Sequence, residues 1–205
     1  MFVGLAVLAG MLANQLDPHR SREELARYYN DFRGSSHEWR ELLATFVVFV
    51  AAFCFVWFLR RLYVFIRAVD DSLAMIAAGG GFVAITLLMA GFVAFTAVGT
   101  TLAYSDDYTV NLDTAILMTD IGLFLYTAAA AGAATMIFAT SIAARRRSLM
   151  PAWLTWPAFV VAIACLLMIV LDGLSLILFV LWVLAVSGFL IRRSWSGDTV
   201  GVAHS

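Results

Sequence analysis

The chain has no lysine; all thirteen of its basic residues are arginine. Without a lysine amine there is no Schiff-base chromophore, which excludes a retinal-type photoreceptor. Charge of either sign is scarce at 13%, against 63% hydrophobic residues and a mean hydropathy of +0.92, values outside the range of soluble domains. An all-α integral membrane protein is therefore expected. Histidine occurs only at His19, His37 and His204, outside every apolar run, so ligation of haem by two histidines within the membrane is excluded. The two cysteines, Cys54 and Cys165, lie in apolar runs with no C-x-x-C partner and no adjacent base, and read as small packing residues. A nucleophile elbow, a phosphate-binding loop, an H-E-x-x-H pair and a protease-type His/Asp pair are also missing. The expectation is a non-enzymatic protein with no cofactor and no metal. The net charge of −1 points to no charged partner, and nucleic acid is not expected.

The apolar runs that remain organise the chain. Residues 2–16 make a run of about fifteen, short of the ~20 of an ordinary span, so a short or tilted first helix is expected, ended by Asp17-Pro18. Residues 21–41 read as a helical cap outside the lipid. Ser21 with Glu24 and Ser35 with Glu38 form capping boxes, and Leu25, Tyr28, Tyr29 and Phe32 form an apolar stripe. Spans follow at about 42–59, 73–104, 113–144, 151–171 and 174–191, which with the first run gives a single-domain bundle of six transmembrane helices. A disordered tail is expected at 196–205. Trp153 and Trp156 mark a membrane interface.

Arginine sets the expected orientation. Arg60, Arg61, Arg67, Arg145 to Arg147, Arg192 and Arg193 fall in three connections that alternate with loops holding none or a balanced mixture. Those three connections, and the C-terminus, are expected in the cytoplasm of a bacterial cell.

A long apolar stretch runs from Leu112 to the triplet Arg145-Arg146-Arg147, a helix of roughly 45 Å from Asp113 to Ala144. Besides the opening Asp113 it carries one charge, Asp120. Asp113, Asp120, Thr127, Ala134 and Ser141 recur every seven residues, close to one helix face and drifting ~20° per heptad. A carboxylate in lipid is costly and is expected to face the bundle. Thr96 and Thr100 of the 73–104 span fall at a similar depth, so Asp120, Thr96, Thr100 and Thr127 form the candidate buried polar site: a proton or cation site, or simply a hydrogen-bonded joint between helices. Close helix packing is expected at Gly79, Gly80, Gly81, Gly91, Gly122 and Gly132, with hydroxyls bonding across helices. A surface metal site from His19 and His37 is a much weaker reading, since neither has a partner at ligand spacing.

Asp17-Pro18 before an Arg/Glu-rich helix with Tyr28-Tyr29 and Arg33-Gly34 opens a set of further motifs. These are Thr119-Asp120-Ile121-Gly122, Leu149-Met150-Pro151-Ala152-Trp153-Leu154 and Leu181-Trp182-Val183. Together they resemble a family of small multi-pass actinobacterial membrane proteins with no assigned activity. The resemblance covers nearly the whole chain. It implies a six-helix bundle and gives Asp120 and Gly122 a structural place rather than a catalytic one.

Three functions fit these features. The first is assembly with, or regulation of, a membrane partner or a second copy through the cap and the small-residue seams. The second is a small proton- or cation-coupled transporter built on Asp120. The third is a binder of lipids or other apolar molecules beneath the cap.

Overall fold

In the computed structural model the described residues are 22–30, 36–105, 107, 109–146, 150–167 and 174–195. They form helices α1 Arg22–Asn30, α2 Ser36–Arg67, α3 Asp71–Tyr104, α4 Leu112–Arg146, α5 Ala152–Leu166 and α6 Leu174–Trp195, with no strand among the described residues. Among the described residues three segments are long and apolar enough to cross a membrane: Thr45–Arg67, Asp71–Leu102 and Leu112–Arg146. α5 and the Leu178–Arg192 part of α6 are shorter apolar helices. The expected first span at 2–16 and the tail at 196–205 lie outside the described residues. Within the residues assigned to the cap, 22–30 and 36–41 are helical, and 31–35 lie outside the described residues.

Two expected boundaries move. Arg60-Arg61 does not end the second apolar run, because Leu62 directly after it and Ile66 one turn further on are fully buried and the helix continues to Arg67. What stops it is the next helix. The Asp70 carboxylate accepts a hydrogen bond from the Leu73 N–H at 3.0 Å and caps α3, with Asp70 itself held in extended backbone. The run expected to reach 171 leaves the helix at Leu166, where the Leu167 N–H turns back to the Ile163 carbonyl at 2.9 Å; residues 168–173 lie outside the described residues.

Helices pack in chain order, α3 between α2 and α4, and α4 between α3 and α5, with α6 against α5. The closest pair is α3–α4, and glycine is the reason. A methyl group on Gly80 would stand 2.8 Å from the Gly132 carbonyl oxygen and 2.9 Å from the Met136 nitrogen. One on Gly132 would stand 2.8 Å from the Gly80 oxygen and from the Ala84 nitrogen. The two backbones thus touch, which is how helices gain packing energy where no hydrophobic effect drives them together. Further along, a Cβ on Gly91 would meet the Gly122 oxygen at 3.1 Å and the Tyr126 ring at 2.8 Å, and one on Gly122 the Phe95 ring at 2.9 Å. Gly81 lies under Leu59 of α2. Gly79 departs from the expectation: a methyl there meets nothing within 4 Å, because the residue is on the outward face of α3.

One large core joins the helices. It holds Leu62 and Ile66 of α2, Ala77 and Ala84 of α3, Met136 and Ile137 of α4, Ala162 of α5 and Val186 of α6. Phe55 meets Phe179 at a tilt and Phe65 meets Phe189 edge to face, so α2 and α6 run parallel in register. Phe138 of α4 meets Phe159 of α5. At one end, charges tie the helices together. Asp70 pairs with Arg146, Arg67 pairs with Asp71 at 3.1 Å, and the Arg145 guanidinium lies 5.0 Å from the centre of the Trp156 ring. Towards the opposite, far end a smaller cluster of Val48, Phe92, Phe95 and Tyr126 holds α2, α3 and α4.

Candidate functional site

Asp120 does not face the bundle. It lies on the exposed face of α4 and makes no hydrogen bond or ion pair among the described residues. The heptad row explains the difference. Asp113 and Asp120 are exposed, Thr127 is half-buried, and Ala134 and Ser141 are buried at 1% and 2% exposure. A straight helix rotates a seven-residue row by ~20° per repeat, so four repeats turn it by roughly 80°. That is enough to carry the row from the outer surface into the core. The small end of the row is core, and the acidic end is surface.

The threonines do not converge on Asp120 either. Thr96 is half-buried and its hydroxyl donates to the Phe92 carbonyl at 3.0 Å. Thr127 donates to the Leu123 carbonyl at 3.0 Å, and Thr100 is exposed. The same local pattern holds at Thr86, Thr101, Thr119, Thr135, Thr140 and Ser141, each bonding the carbonyl four residues back in its own helix. None of these hydroxyls bonds across helices, contrary to the expectation from sequence. At α3–α4 the backbones come too close to need it.

Length decides where Asp120 sits. α4 has 35 residues, about 52 Å, while a bilayer's hydrocarbon is ~30 Å thick. Counted from Arg145, Asp120 stands about 37 Å along the axis, farther than the ~30 Å of hydrocarbon would reach if its near boundary lay at Arg145. A carboxylate there is hydrated at little cost. α3, with 34 residues, overshoots in the same way.

The far ends of the long helices nonetheless expose large apolar groups. On α4, Leu117, Ile121 and Phe124 surround Asp120, with Phe124 75% exposed. On α2, Leu43 and Phe46 stand out at 62% and 67%. Tyr104 is exposed at the end of α3. Where lipid tails do not cover it, a patch of this kind is an interaction surface.

No known family, characterised protein or solved structure matches this chain. The site therefore rests on its own geometry. Cys54 is half-buried and Cys165 buried, and neither forms a disulfide. Among the described residues no three His, Cys, Asp or Glu side chains come together as a metal site would need, while His19 and the side chain of His37, which carry the surface-metal reading, fall outside the described residues. Sequence reasoning missed two features. One is Asp70, although an acid opening an apolar run is a helix-start signal. The packing of Phe95 and Tyr126, rings 5.4 Å apart, over the second pair of glycines has no signal in one sequence.

Proposed function

We propose that this chain is a non-enzymatic multi-pass membrane protein that acts by assembling with, or regulating, a membrane partner, and that it docks through the far end of α3 and α4. The observation that carries this reading is the exposed apolar surface of Leu117, Ile121 and Phe124 around Asp120, on a helix longer than a bilayer covers. The partner is a second membrane protein or another copy of this chain. Its face is apolar, with a donor for the Asp120 carboxylate at the lipid–water boundary.

The far end is the extracytoplasmic one in this reading. Arg60, Arg61, Arg67, Arg145, Arg146 and Arg192 lie towards the other ends of α2, α4 and α6, and the positive-inside rule sends that side to the cytoplasm of a bacterial cell. With residues 2–16 as a short first span, six spans put the C-terminus on the same side. A carrier built on Asp120, or a pocket for apolar molecules between α3 and α4, has less in its favour. Asp120 faces outward, both helices are continuous, and glycine brings their backbones into contact along the seam.

Native mass spectrometry of protein released from membrane-derived nanodiscs tests the reading. The expected result is a discrete oligomer or a complex with one second polypeptide, reduced to a single chain in the double variant Leu117→Ser/Phe124→Ser. A wild-type single chain, with or without one retained small molecule, would overturn it.

A further inference from the structure

Arg60 and Arg61 differ from Arg67, Arg145 and Arg146 at the same end of the molecule. Arg67 and Arg146 are neutralised by Asp71 and Asp70, and Arg145 lies over Trp156. Arg60 and Arg61 are both exposed and make no ion pair among the described residues. They are seven and six residues before Arg67 on a continuous helix, so they lie about 10 Å nearer the bilayer centre than the paired rim. Leu59, next to Arg60, rests on Gly81, well inside α3 rather than at its start. Exposed apolar residues flank the two cations along α2: Trp57 on one side and Val64 on the other.

We infer that Arg60 and Arg61 bind the phosphate of an anionic phospholipid in the leaflet at this end of the molecule. Two adjacent guanidiniums within an apolar surface need a counter-charge, and the carboxylates nearest along the chain, Asp70 and Asp71, are engaged with other arginines. The guanidinium fork suits phosphate oxygens, and the exposed Trp57 ring beside it suits the glycerol and acyl boundary. With the hydrocarbon boundary at the Arg67–Asp71 rim, the two side chains snorkel outward and draw a headgroup towards them. This proposal rests on the reading that the chain spans a membrane, but not on any protein partner.

The test is lipid retention. Full-length protein is reconstituted in phosphatidylcholine nanodiscs with phosphatidylglycerol as the minor component, released gently, and the lipids that remain bound are identified by native mass spectrometry. At roughly fivefold per basic residue, two arginines give an enrichment of phosphatidylglycerol over the bulk ratio on the order of 30-fold. The enrichment should fall to the bulk ratio in R60Q/R61Q, survive in R60K/R61K at a reduced level, and be unchanged in R27Q, whose arginine lies on α1. No enrichment in wild type, or the same enrichment in R60Q/R61Q, would overturn the proposal. So would displacement of the lipid by soluble glycerol phosphate, since the site would then read a free anion and not a headgroup. Alkaline extraction of native membranes separates the two levels of failure. Release of the protein would sink the membrane reading and this proposal with it; retention in the membrane without lipid enrichment would sink this proposal alone.

Discussion

Gly132→Ala and Gly79→Ala add the same methyl group to two helices of the same bundle and should act in opposite directions. At Gly132 the new Cβ stands 2.8 Å from the Gly80 oxygen and 2.8 Å from the Ala84 nitrogen. Both are backbone atoms, so no side chain can swing aside. Restoring ordinary contact, 3.4 Å or more, pushes α3 and α4 apart by roughly 0.6 Å at their closest point. Overpacking of this kind costs about 1–3 kcal/mol. Glycine's poor helix propensity returns up to about 1 kcal/mol when alanine replaces it. The net expectation for Gly132→Ala is a loss of about 1–2 kcal/mol. At Gly79 nothing lies within 4 Å, so only the propensity term acts, and Gly79→Ala gains about 0.5–1 kcal/mol. Both variants are compared with wild type by reversible unfolding in mixed micelles at rising denaturing-detergent fraction, read by tryptophan fluorescence. Equal effects of the two variants, or a Gly132→Ala protein as stable as wild type, would refute the close-contact seam.

The charged end makes a second prediction. Asp70→Ala removes both the cap of α3 and the partner of Arg146 and should cost about 1–2 kcal/mol, while Asp71→Ala breaks only an exposed pair and should cost under about 0.5 kcal/mol in the same unfolding assay. Asp120→Asn should leave intrinsic stability within about 0.5 kcal/mol of wild type, because the side chain is exposed and unpaired among the described residues; a loss several times larger would restore it as a joint between helices. Phe95→Ala should cost about 3 kcal/mol, since the ring fills the space over Gly122 beside Tyr126, and hydrogen exchange should rise at the far ends of α3 and α4 before the core around Met136. Uniform loss of protection in that variant would argue against two separately held clusters.

Much of the architecture is written locally in the chain. Long apolar runs bounded by charge can satisfy their backbone only as helices, so helices over 42–59, 73–104, 113–144 and 174–191 follow from residue type alone, and α2, α3, α4 and α6 each cover their run. The close approach at Gly80, Gly91, Gly122 and Gly132 is also local in origin, because glycine lets another backbone approach where any other residue holds it off. Which way a residue faces is a different kind of property. Gly79 and Gly80 are neighbours in sequence, yet 100° of helix rotation puts one in open space and the other against Gly132. Asp120 and Ser141 share a heptad row, yet the accumulated drift of that row puts one at the surface and the other in the core. Rotation about a helix axis is fixed by what packs on the other side, and one sequence does not name the neighbour. The partners of Asp70 and the engagement of the hydroxyls were decided the same way, by contacts 76 residues apart in one case and by a backbone seam too close for side-chain bridges in the other. Residue type determined that this chain makes long apolar helices; only their mutual packing decided that its lone mid-helix carboxylate looks outward.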